Sequence, residues 1–200
     1  MADYTHDETM RNILLILMFI IPAVAWSQQA EYQKACAVYK NAHVVTAKCQ
    51  RVRHRAAVKN DDILQGVLRM ERPDKVNITM NGGKEALDMQ GTQFTMTMRG
   101  KPHKTSSKTN PQFKTFQAVW ESILAGGTDL TKVSDLELKE SSGDVIIVIT
   151  PKVDEKTAKR MMFSSFVLEI DGKSGEIKSL RMNEKGQNYI LYIFSDYQWK

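Results

Sequence analysis

Short segments in which apolar and polar residues alternate, separated by glycine-containing turns, constrain the fold of this chain more than any other feature. Two such segments cover residues 76–80 and 94–98, and the turn Asn81-Gly82-Gly83 follows the first of them. Alternation with a period of two places the apolar side chains on one face of a strand. Connections this short join antiparallel neighbours. The sequence therefore predicts one continuous antiparallel sheet with one covered face.

Other segments repeat this pattern, and two segments depart from it. Further strands are predicted over residues 44–58, 64–71, 145–150, 163–170, 177–182 and 189–194. Residues 28–41 have helical spacing of their apolar side chains, and a shorter helical stretch is predicted over 129–136. With no repeat and no linker in the sequence, we expect a single α+β domain.

The segment after residue 110 predicts an amphipathic helix with an aromatic face. Asn110 can cap this helix, and Pro111 suits its first position. The side chains that recur at a spacing of three or four residues are Phe113, Phe116, Trp120, Ile123 and Leu124. Such a helix needs an apolar surface to cover, and the predicted sheet supplies one.

The N-terminal segment is typical of a secretory signal peptide. An unbroken apolar run over residues 13–21 follows Met10-Arg11, and small residues occupy positions Ala23, Ala25 and Ser27. The run is shorter than the roughly 20 residues that span a membrane. We expect cleavage after Ala25 or Ser27; an uncleaved anchor is the alternative.

These features divide the chain into a signal peptide, residues 1–27, and one domain, residues 28–200. Residues 1–9 are acidic and polar, which does not suit the start of a signal peptide, so translation starts at Met1 or at Met10. The exported chain carries a formal charge of +7. Anionic headgroups or an acidic partner are expected to contact it, and export argues against nucleic acid.

The arginines of the segment Arg51-Val52-Arg53-His54-Arg55 alternate with other residues. This alternation predicts that the arginines lie on the solvent-facing side of a strand. A dedicated docking surface for an anionic partner is the alternative.

Sequence motifs of catalysis and metal binding are absent. The chain has no phosphate-binding loop, no nucleophile elbow and no HExxH motif, and no carboxylate accompanies its histidines at a metal-ligand spacing. We therefore expect no enzyme activity, no metal and no cofactor. Cys36 and Cys49 form either a disulfide, which an oxidising compartment would favour, or two free buried thiols.

Arg72 departs from the local apolar pattern. Counting by twos along the predicted strand places it on the same face as Leu68 and Met70. A guanidinium on an apolar face loses hydration unless it finds acceptors, and backbone carbonyls at a helix end would provide them. The alternative is that the strand ends early and Arg72 extends into water.

The order and spacing of several short motifs resemble the family of the periplasmic lipoprotein carrier LolA. The motifs are Gly66-x-Leu68 followed by Arg72-Pro73-Asp74, an alternating strand, the aromatic helix, and Ile149-Thr150-Pro151-Lys152. The resemblance covers about residues 30–195. It implies an incomplete, strongly curved antiparallel barrel with a helical lid over an apolar cavity, which receives the acyl chains of lipoproteins, and it implies that Arg72 latches this lid.

The same resemblance implies a periplasmic carrier that moves lipoproteins from the inner to the outer membrane. Its partners would be acylated lipoproteins, an inner-membrane lipoprotein-releasing transporter and an outer-membrane acceptor, and we expect a monomer. A binding module that senses lipid or lipoprotein without shuttling it is the alternative function. Crossing water requires a soluble apolar surface, because about 15 methylenes contribute on the order of 12 kcal/mol to membrane anchoring.

The residues predicted to line the cavity lie on the apolar faces of the strands and of the aromatic helix. They are Leu68, Met70, Val76, Ile78, Met80, Met89, Phe94, Met96, Met98, Phe113, Phe116 and Trp120. Methionine suits such a cavity because its unbranched side chain adapts to irregular ligands. An ordinary packed core is the alternative for the same residues.

Overall fold

Eleven antiparallel strands form one open sheet in the computed structural model, which describes residues 29–200. The predicted signal peptide and its cleavage site therefore lie outside the described residues. The strands are β1 (Val44–His54), β2 (Asp62–Glu71), β3 (Lys75–Met80), β4 (Glu85–Gln90), β5 (Gln93–Met98), β6 (Lys101–Ser106), β7 (Ser134–Ser141), β8 (Asp144–Pro151), β9 (Phe163–Asp171), β10 (Ile177–Glu184) and β11 (Tyr189–Trp199).

The pairing of the first and last strands organises this sheet. β1 pairs with β11, and from this pair the strands follow in chain order to β6 on one side and in reverse order to β7 on the other. Within residues 29–200 no pairing joins β6 to β7, so the sheet remains open. The predicted fold class, a single open antiparallel sheet with helices, is confirmed.

Three α-helices accompany the sheet within residues 29–200. α1 covers residues 29–36 and continues into the 3-10 turn Ala37–Lys40; α2 is Gln112–Leu124 and α3 is Glu155–Arg160. α2 begins at Gln112, and Asn110 supplies a backbone carbonyl, which accepts from the Phe113 N–H at 3.1 Å, rather than a side-chain cap. No helix in the described part of the chain is both long enough and apolar enough to span a membrane.

Alternation along the strands builds the core on the concave face. Met70, Val76, Met89 and Phe94 lie directly opposite one another across four strands, and each is at most 2% exposed. Residues in direct cross-strand register share a face of the sheet. The core is therefore a set of such rows, covered by the helices.

Gly66 marks a close approach between two strands. A Cβ atom built on this residue would lie 2.0 Å from the carbonyl oxygen of Thr79, on the neighbouring strand β3. A glycine inside a strand allows such an approach because it lacks a side chain. The fold thus requires glycine at this position.

The structure corrects two local predictions. Residues 134–141 form β7, whereas a helical stretch was predicted over 129–136. Leu136 and Leu138 face the core from β7 with a period of two, and pairing with β8 satisfies the backbone of the strand. The first strand ends at His54, so residues 55–58 belong to the loop that follows it.

Candidate apolar cavity

An apolar cavity of about 310 Å³ lies between the concave face of the sheet and α2. Its apolar walls come from six strands, from α2 and from the residue before β9. They are Ile78, Met80, Ala86, Leu87, Met96, Met98, Phe113, Phe116, Met162, Phe163, Met182, Ile190 and Tyr192. Arg51, Arg53, Glu85 and Thr97 complete the lining.

The predicted lining residues divide between this cavity and the packed core. Six of them line the cavity: Ile78, Met80, Met96, Met98, Phe113 and Phe116. The other six are buried in the core: Leu68, Met70, Val76, Met89, Phe94 and Trp120. The division follows position along the strands, because the cavity lies at one end of the concave face and side chains fill the rest.

Aromatic side chains attach α2 to the sheet beside the cavity. The ring centroid of Phe94 lies 4.7 Å from that of Phe113 and 6.2 Å from that of Phe116. Trp120 is fully buried, 6.3 Å from Phe194 on β11. Tilted and edge-to-face pairs of this kind are favourable. α2 therefore closes one side of the cavity through its N-terminal aromatics and anchors in the core through Trp120.

Arg72 lies outside the cavity. β2 ends at Glu71, and the Arg72 side chain is exposed to solvent at the far end of the concave face from Met80. The prediction that Arg72 faces the apolar concavity is therefore wrong, because the strand ends one residue before it. Its guanidinium nevertheless donates to the carbonyl of Lys40, the last residue of the 3-10 turn after α1. A latch role for Arg72 stays a prediction.

Arg51 and Arg53 line the cavity, contrary to the prediction that they face solvent. On β1 the buried residues are Val45, Ala47 and Cys49, and counting on by twos gives Arg51 and Arg53. The sequence correctly predicted that both arginines share one face of the strand and that Val52 and His54 share the other. The arginine face was wrongly taken to be the one that faces solvent. Counting by twos from the apolar Val45 would have placed both arginines on the buried face, because side chains alternate between the two faces along the whole strand.

Two carboxylates hold the Arg51 guanidinium in place. Its Nη1 donates to Oε2 of Glu85 at 2.5 Å, and its Nη2 donates to Oδ2 of Asp62 at 2.8 Å. The Arg51 side chain is 11% exposed, and its Nε is buried with no partner among the described residues. Beside it on β11, burial raises the pKa of the Tyr192 hydroxyl to about 12, so this group is neutral at physiological pH.

The structure holds Cys36 and Cys49 as free, buried thiols, the second of the two alternatives. Burial raises the pKa of each thiol to about 12. Since the thiolate is the reactive form, burial disfavours reaction of both groups at neutral pH. In the described part of the chain no cluster of three or more potential metal ligands occurs.

No family model matches the chain, and no curated protein matches it. Several solved structures are similar to it. A LolA superfamily protein from Nitrosomonas europaea is 10% identical, with a TM-score of 0.45 over 86% of this chain and 93% of that one. A putative outer membrane lipoprotein-sorting protein domain from Vibrio parahaemolyticus is 8% identical, with a TM-score of 0.48 over 88% and 93%.

The lipoprotein LppX from Mycobacterium tuberculosis is a third structure of this kind. It is 12% identical, with a TM-score of 0.43 over 86% of this chain and 94% of that one. These likenesses concern the fold, and the function has to be argued from the cavity.

Proposed function

We propose that this protein binds the acyl chains of lipoproteins in the cavity beneath α2 and carries them through the periplasm from the inner to the outer membrane. One observation carries the proposal: a cavity that the protein's own side chains leave unfilled, on the concave face of a sheet whose other concave rows are packed. We propose a binding role without catalysis, for a monomer exported by a cleaved signal peptide.

The composition of the walls supports an apolar, flexible ligand. Thirteen of the seventeen lining residues are apolar or aromatic, and five of these thirteen are methionines. Thioether side chains change rotamer at little cost and so fit chains of differing shape. Each methylene that leaves water for such walls contributes roughly 0.8 kcal/mol.

The volume of the cavity supports one chain at a time. About 310 Å³ lies at the lower end of the range of roughly 300–1,000 Å³ that small-molecule pockets occupy. We expect one acyl chain to enter this space, and further chains to enter only when α2 moves away from β5. The inner-membrane transporter that releases lipoproteins and the outer-membrane acceptor are the partners that this function requires.

Displacement of a neutral apolar fluorophore tests binding. N-phenyl-1-naphthylamine should gain fluorescence with the purified protein, and a triacylated peptide should displace it, whereas the same peptide without acyl chains should not. If neither the fluorophore nor the triacylated peptide binds, the proposal is refuted. Binding without transfer of lipoprotein between purified donor and acceptor membranes would instead indicate the sensing alternative.

A matched pair of variants on β11 locates the site. Ile190 lines the cavity, and Ile193 on the same strand is 39% exposed on the opposite face. Ile190→Trp should fill the cavity and weaken binding of the triacylated peptide by about tenfold or more, a loss of roughly 1.4 kcal/mol. Ile193→Trp should leave binding unchanged. Equal effects of the two substitutions, at equal melting temperatures, would contradict the location of the site.

A further inference from the structure

A pair of arginines interrupts the apolar lining of the cavity at one end. Arg51 lies directly opposite Tyr192, and Arg53 lies directly opposite Ile190, so both share the concave face with these lining residues. A guanidinium beside apolar walls gives up hydration and needs acceptors in return. The acceptors that each arginine has therefore indicate which ligand the cavity is built to hold.

Arg51 has its acceptors within the protein. Glu85 and Asp62 bind its two terminal nitrogens, at 2.5 and 2.8 Å. The side chain is fixed in this geometry, and the charges of the two carboxylates are directed to it. Its Nε is buried and has no partner among the described residues.

Arg53 differs from Arg51 in this respect. It is half-buried, lines the cavity and lies directly opposite Asp62 on β2, but the Asp62 carboxylate binds Arg51, and among the described side chains Arg53 forms no ion pair. Lys101 adds a second cation at this end of the face, because it lies directly opposite Met98, which also lines the cavity. Apolar walls thus adjoin cations whose charge no described carboxylate compensates by direct contact.

We propose that the cavity selects chains that carry an acidic group at their polar end, and that Arg53 binds this group at the mouth while the chain occupies the apolar space. The inference rests on the proposed function and specifies its ligand. The planar guanidinium of arginine offers two parallel donors to a carboxylate or phosphate. Arg51, held by Glu85 and Asp62, supports the geometry, and its Nε–H is without a partner among the described residues.

Laurate and methyl laurate test this selection, since they share a chain and differ in charge at neutral pH. Each is titrated against N-phenyl-1-naphthylamine bound to the purified protein. We expect the wild type to bind laurate at least about tenfold more tightly than its ester. Equal affinity of the wild type for both, or failure of both to displace the fluorophore, would overturn the inference. Neither outcome touches the proposed function, which the triacylated peptide tests.

Three arginine variants assign the selection to a residue. Arg53→Gln should lower the affinity for laurate by about tenfold or more and leave that for methyl laurate within about twofold. Arg53→Lys should retain a preference for laurate because it retains the charge. Arg55→Gln, which removes the same charge from an exposed position two residues away, should change neither affinity. An equal loss of both ligands in Arg53→Gln, with unchanged circular dichroism, would overturn the inference.

Two further ligand pairs distinguish the source of the acidic group. Diacylated cysteine peptides with aspartate or asparagine after the cysteine represent lipoproteins, and dodecyl phosphate against dodecanol represents free lipid. A preference for the aspartate peptide that Arg53→Gln removes supports a lipoprotein source. A preference confined to laurate and dodecyl phosphate supports a lipid source of the same chemistry, and a preference in no pair overturns the inference.

Discussion

Substitution of Gly66 by alanine tests whether the sheet depends on the close approach of β2 and β3. The added Cβ would lie 2.0 Å from the carbonyl oxygen of Thr79 and 2.5 Å from the sulfur of Met80. The flexible Met80 side chain can move aside. The Thr79 carbonyl cannot, because it belongs to the backbone of a strand paired on both sides.

The size of the expected effect follows from this geometry. The two strands must separate by about 1 Å before the contact reaches the range that real Cβ atoms show. Overpacking of this kind costs typically 1–3 kcal/mol and occasionally more. Alanine regains roughly 0.5–1 kcal/mol of backbone entropy relative to glycine. Because the contact is with backbone and as short as 2.0 Å, the cost lies at the upper end of this range, and we expect Gly66→Ala to lower the free energy of unfolding by about 2 kcal/mol.

Urea unfolding followed by tryptophan fluorescence measures this free energy, and Gly82→Ala is the control. Gly82 has a φ of 63° and no atom within 4 Å of an added Cβ, so its substitution introduces backbone strain of about 1 kcal/mol without a collision. If Gly66→Ala costs no more than Gly82→Ala, the close approach does not limit the fold. A second variant, Gly66→Ala with Met80→Ala, should be no more stable than the sum of the single effects predicts, since the backbone is the obstacle.

Two further predictions concern Arg72 and Asp171. Arg72→Leu removes one exposed hydrogen bond to the Lys40 carbonyl, so we expect it to change the free energy of unfolding by less than about 1 kcal/mol. We expect the same variant to slow lipoprotein transfer between purified donor and acceptor. Transfer by the variant at the wild-type rate would refute the latch role. Backbone N–H groups of its own turn, followed by Lys178, lower the pKa of Asp171 to about 2. The stability that this carboxylate contributes is complete above the unfolded pKa of about 3.9 and is lost as the pH falls to about 2. Asp171→Asn should therefore reduce the pH dependence of the free energy of unfolding between these two pH values. An unchanged pH profile would contradict the assignment.

Local alternation in the sequence was sufficient to predict most of the sheet. The periods over 76–80 and 94–98 assigned the apolar faces of β3 and β5 correctly, because the parity of side chains along a strand depends only on the chain itself. The burial of β5 decreases along the strand, and Met98 at its end is 53% exposed. The aromatic spacing from Phe113 to Leu124 predicted α2 for the same reason. In contrast, residues 129–136 were assigned to a helix, because pairing with β8 was not visible in that short segment.

The position of the cavity and the residues that line it could not be predicted from local sequence patterns. Arg51 and Arg53 were assigned to solvent because charges on an alternating strand usually face water, whereas in the fold Glu85, 34 residues away, meets Arg51 on the concave face. Whether a buried row is filled or left open depends on where α2 crosses the sheet, and that position is set by contacts such as Trp120 with Phe194. The sequence by itself determined most of the strands, the aromatic helix and the alternation of their side chains. Only the tertiary structure decided which end of the concave face stays open and which charges border it, because these depend on contacts between residues far apart in the chain.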